Sequence, residues 1–105
     1  MGYAKERGKL EKLSTKVSGL TNYDEKSLAI LTDIYEQYSH TIRILKNKNP
    51  EVFNEAYQEV LPQVKLAKNA LKVSEPDDRQ DNFTTYKDTL AAALSSAINL
   101  TKEAN

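Results

Sequence analysis

Residues 27–48, SLAILTDIYEQYSHTIRILKNK, carry the pattern that decides the fold. Leu28, Leu31, Tyr35, Tyr38, Ile42 and Leu45 recur at alternating intervals of three and four, the period of a helix that buries one stripe. Ile30, Ile34 and Ile44 widen the stripe, so this helix needs neighbours on more than one flank and is expected at the centre of a bundle. It ends in Lys46, Asn47, Lys48 and Asn49, where basic side chains oppose the negative end of the macrodipole. Asn49 followed by Pro50 starts another helix, because Asn caps and proline at the first helical position loses no backbone bond. A connection this short makes the two helices an antiparallel pair.

The same spacing continues on the C-terminal side. Phe53, Tyr57, Val60, Val64, Ala67 and Leu71 mark a third helix, with Glu51, Glu55 and Glu59 in its first half and Lys65, Lys68 and Lys72 in its second, as the dipole favours. Pro62 falls on the face farthest from that stripe, so the expectation is one helix kinked at Pro62 rather than two short ones. Ser74, Pro76 and the paired aspartates break the pattern into a loop. Asp81 or Asn82 then caps a last helix carrying Phe83, Tyr86, Leu90, Ala93, Ala97 and Leu100. Counting outward from the short connections sets the alanines of that helix level with Tyr35, Tyr38, Val60 and Val64. One core layer should be rich in aromatics, with each tyrosine hydroxyl at an edge or on a partner.

On the N-terminal side, Leu10, Leu13, Val17 and Leu20 give a narrow apolar face. Gly2 and Gly8 each weaken the opening turns by about 1 kcal/mol, so the first helix is expected to be frayed before Gly8 and weakly anchored. Gly19 should close it in a left-handed conformation, and Thr21, Asn22 or Asp24 is available to cap the next helix. The reading is thus an all-α, single-domain, antiparallel up-and-down four-helix bundle over residues 1–105, with helices at about 3–18, 24–48, 50–73 and 81–103.

Composition narrows the function. The 105 residues carry 15 basic and 15 acidic side chains and no cysteine, which removes disulfide and thiolate chemistry. The first twenty residues are charged throughout, unlike a signal peptide, and Glu6 stands where a myristoylation motif wants Ser or Thr. No apolar run has the length of a membrane span, so a cytoplasmic protein is expected. Nucleic-acid binding would have to use Lys5 to Lys16 or the corner of Arg43, Lys46 and Lys48. Neither is interleaved with aromatics that the stripe leaves exposed, and no nucleic-acid partner is expected.

His40 is the only histidine and projects from the solvent side of the central helix. With Glu36 it makes two ligands, too few for a metal site, and no glycine-rich phosphate loop is present. His40-Thr41-Ile42-Arg43 resembles the first four positions of the histidine phosphotransfer motif, H-x-[LI]-[KR]-G, which implies a four-helix relay domain with His40 as phospho-acceptor. Ile44 stands where that family has the glycine that admits the partner aspartate. Ferritin-like di-iron bundles are similar in architecture but need inward Glu-x-x-His units, which this chain lacks.

By size and helix count the chain is similar to the helical immunity proteins of bacteriocin producers. The expectation is therefore a non-enzymatic bacterial protein that binds another protein as adaptor, inhibitor or immunity protein. No catalytic residue, cofactor or metal is assigned. The expected partner surface is Lys5, Lys9, Lys12, Lys16, His40 and Arg43. The alternatives are the His40 relay and a small structural or phage-type protein that self-associates as a homo-oligomer through its first helix.

Overall fold

The Asp24 carboxylate accepts a hydrogen bond from the Ser27 N–H at 2.7 Å, and this cap starts the longest apolar stripe as a helix. The computed structural model describes residues 2–104. In it α1 spans Ala4–Ser18 and α2 spans Glu25–Lys48. A third rod is built from α3 (Pro50–Glu55), a π turn (Ala56–Val60) and α4 (Leu61–Lys72). A short 3-10 turn (Pro76–Asp78) leads into α5 (Arg79–Glu103). The rods run up and down as an all-α four-helix bundle, and no strand occurs among the described residues.

The cross-section is a flattened rhombus, in an envelope of 47 × 24 × 17 Å. α5 packs along α1 and α4, α2 packs along α1 and α3, and α2 meets α5 across the short diagonal. The centre is therefore shared: α5, not α2 alone, touches every other rod. Its small residues explain this, since Ala93 and Ala97 are buried and let neighbouring backbones approach closely. The backbones of α2 and α4 stand apart.

The third rod is continuous, as the exposed position of Pro62 predicts, but the proline is accommodated by a wide turn just before it. The Leu61 N–H reaches back to the Ala56 carbonyl, the spacing of a π turn. The extra residue shifts the phase of the stripe. Ala56 is buried together with Phe53, Val64 and Leu71, while Tyr57 and Val60 are only half-buried.

α1 departs from expectation. Tyr3 is buried and meets the Phe53 ring edge-on, with centroids 5.3 Å apart. Glu6, 6% exposed, pairs with Lys48 at 3.2 Å. The Arg7 guanidinium donates to the Thr101 hydroxyl at 3.0 Å and to the Thr101 carbonyl at 2.9 Å. That carbonyl is in the last turn of α5, where a cation complements the dipole. The first turns are thus tied down by side chains remote in sequence, and Leu10, Leu13 and Val17 are buried against the chain's own bundle.

Three local expectations also change. Gly19 is right-handed, with φ −82°, and its N–H bonds the Lys16 carbonyl at 3.2 Å. Asn49 does not cap with its side chain; its amide donates to the Tyr3 hydroxyl at 3.2 Å. α5 begins at Arg79, ahead of Asp81, because the 3-10 turn feeds directly into it.

Candidate partner-binding surface

α2 is flanked by two open grooves of different electrostatic character. Lys5, Lys9, Lys12 and Lys16 recur at intervals of four, three and four, so they form one exposed ridge of α1. The structure brings Lys9, Lys12 and Lys16 together with His40 in a groove of about 440 Å³ between α1 and α2. Asp33, Glu36 and Gln37 line the same groove from α2, with Leu13 and Thr41 beneath. Carboxylates thus face the lysines, and the field of this groove is mixed. Gln37 donates to Asp33 at 2.6 Å, one turn apart on the α2 wall.

Lys16 and Asp33 continue into an adjoining hollow of about 540 Å³ with Gly19, Leu20, Ala29 and Ile30. Lys5 does not line the groove, and Arg43 lies on the other flank of α2. His40 is exposed, and the Thr41 hydroxyl beside it is spent on the Gln37 carbonyl at 2.9 Å. Among the described residues no three His, Asp or Glu side chains gather as a metal site requires.

The second groove runs between α2 and the third rod, where the backbones stand apart. One part, of about 730 Å³, is lined by Tyr35, Ser39 and Arg43 of α2 and by Tyr57, Gln58, Leu61, Pro62 and Lys65. The other, of about 440 Å³, is lined by Tyr23, Leu28, Thr32, Lys68, Leu71, Lys72 and Arg79. Lys68 joins the two, its ammonium 4.9 Å from the centroid of the Tyr35 ring. At the far end Lys46 sits 4.8 Å from the centroid of Tyr57. No carboxylate lines either part. Arg43, Lys46, Lys65, Lys68, Lys72 and Arg79 therefore concentrate positive charge along one side of a protein whose net charge is zero. Among the described residues the one ion pair, Lys48 with Glu6, lies elsewhere.

Beneath this groove the aromatic layer exists, but its hydroxyls are not satisfied. Tyr35 packs edge-to-face on Tyr86, with centroids 6.5 Å apart. Tyr38 and Tyr86 are fully buried, and neither hydroxyl has a hydrogen-bond partner. Burial pushes both phenols far above the ordinary tyrosine value, with the neighbouring Tyr35 adding to the shift. Thr32 opposes the shift at Tyr86 without reaching hydrogen-bond geometry, and burial outweighs it. Tyr35, at the groove, is raised by burial as well.

The sequence reading singled out Arg43 and missed the residues opposite it. Part of the signal was there, since Lys65, Lys68 and Lys72 share one face. Antiparallel register from Asn49, however, sets Tyr35 level with residue 63 and Tyr57 level with residue 41, more than a turn from the Lys68 and Lys46 that reach them. What no periodicity supplies is the separation of α2 from α4. Comparison of the chain with family models, with curated proteins and with solved structures returned no significant match.

Proposed function

We propose that this chain is a non-enzymatic protein-binding module, an adaptor, inhibitor or immunity-type protein. The observation that carries the reading is the pair of open, helix-lined grooves on the two flanks of α2, one mixed in charge and the other lined by cations with no carboxylate. Helical bundles recognise partners through such surfaces by accepting a segment between two helices. The grooves offer charge and shape for contact, and their titratable groups do not converge on an enclosed cavity where a small substrate would be held away from water. A bacterial, cytoplasmic setting is part of the same proposal. Its support is compositional, since a chain without cysteine loses nothing in a reducing compartment.

The test is reconstitution. Affinity capture with the full chain should yield a protein that, purified separately, forms a complex of defined stoichiometry in analytical ultracentrifugation. Changing His40 to Ala should leave that complex intact. A full chain that binds no protein, or an acid-labile phosphate on His40 together with loss of function on its removal, overturns the reading; the second result assigns a relay.

A further inference from the structure

The groove between α2 and the third rod is charged in one sense only, and that asymmetry identifies what it takes. We propose that it docks an acidic, amphipathic helical segment of a partner protein, an inference that rests on the protein-binding reading above.

Three observations carry it. First, Arg43, Lys46, Lys65, Lys68, Lys72 and Arg79 border a floor of Leu28, Leu61 and the Tyr35 and Tyr57 rings, with no carboxylate among the lining residues. A floor of mixed apolar and polar surface between two cationic rims is complementary to an acidic helix with an apolar stripe on one side. Second, Lys46 and Lys68 are held over tyrosine rings, which fixes where their charges lie before a partner arrives and reduces the ordering cost of binding. Third, the dimensions fit. From Leu28 to Lys46 the α2 wall is roughly 27 Å long, which matches a partner helix of about 18 residues.

A nucleic-acid strand shares the charge requirement but needs free aromatic faces for its bases. Here one face of Tyr35 and one of Tyr57 carry an ammonium, and Tyr35 is also packed on Tyr86. The carboxylate partner is therefore the one the groove favours.

The probe is a fluorescently labelled helical peptide of about 18 residues, with leucines at intervals of three and four and glutamates elsewhere. It is titrated with the full chain by anisotropy at low and at physiological salt. The expected result is binding that weakens with salt and falls about tenfold or more in Lys65→Glu with Lys68→Glu, and in Arg43→Glu with Lys46→Glu. Lys9→Glu with Lys12→Glu, in the other groove, should change it less than about twofold. All substituted positions are at least partly exposed, and circular dichroism confirms that each variant is folded.

No binding of the peptide, or binding equally weakened by the α1 variants, overturns the proposal. Tighter, groove-dependent binding of an oligothymidylate of similar length assigns nucleic acid instead. A reconstituted natural partner whose affinity ignores the Lys65 and Lys68 reversals removes this inference while leaving the protein-binding reading in place.

Discussion

The two flanks of α2 use the same materials to different effect. On the α1 side, lysines at helical spacing share the groove with Asp33 and Glu36, which offset their field without forming an ion pair. On the side of the third rod, cations from both walls meet, and two are parked over tyrosine rings for want of a carboxylate. A run of lysines in sequence is thus a poor guide to a cationic surface. What matters is the sign of the side chains that the fold sets opposite, and of the two grooves only the second has no carboxylate in its lining.

With its first turns anchored, α1 should be a wall as firm as α4, and Phe53 is where that firmness is tested most severely. Phe53 is fully buried against Tyr3, so Phe53→Ala should cost about 3–5 kcal/mol in urea unfolding. The loss should appear in one transition; separate early melting of α1 would show that the two walls are not equivalent. Next in size is Arg7→Ala, which removes a charged donor from the buried Thr101 and should cost about 2–3 kcal/mol. Hydrogen exchange in the first turns of α1 should accelerate, while α4 is unaffected.

The aromatic layer under the second groove gives a gain rather than a loss. Tyr38→Phe and Tyr86→Phe each remove a buried hydroxyl that has no partner and should stabilise by about 1 kcal/mol. The pH dependence has a definite sign. Both folded phenols are raised above the unfolded value near 10, so the stability they contribute is complete below that pH and is lost as pH rises through it toward the folded values. The doubly substituted protein should lose less stability between about pH 10 and 12 than the parent. Smallest is Gly19→Ala, at the end of the α1 wall. Its φ is right-handed and an added Cβ would lie 3.5 Å from the Lys16 carbonyl oxygen, an ordinary contact, so stability should rise by about 0.5 kcal/mol.

The helices, their order and the short turn at Asn49 were readable because period and caps are local properties. Residues 28–45 bury the stripe their spacing announces, displaced by part of a turn so that Thr41 goes in and Tyr35 sits at the edge. The anchoring of α1 was not readable, since it depends on Arg7 meeting Thr101 and Tyr3 meeting Phe53, partners far apart along the chain. Gly8 signalled weakness, and the long-range contacts overrode it. Of the expected surface, Lys9, Lys12, Lys16 and His40 do share a groove, but the carboxylates that offset their field lie on a different helix from the lysines. Arg43 was visible without its setting, because whether α2 and α4 touch or separate is not a property of either helix's own period.

The five-residue wide turn from Ala56 to Val60 holds one residue more than an ordinary helix would use to cover the same height. That surplus works as a phase shifter between the two halves of the rod. Closing the wide turn to normal pitch with every residue kept would turn everything after it by about 100° relative to Phe53. Either Val64 and Leu71 would then leave the interior, or Lys65 and Lys68 would swing off the side that faces α2. The electrical character of that flank is consequently set by a tally of residues as much as by which residues they are.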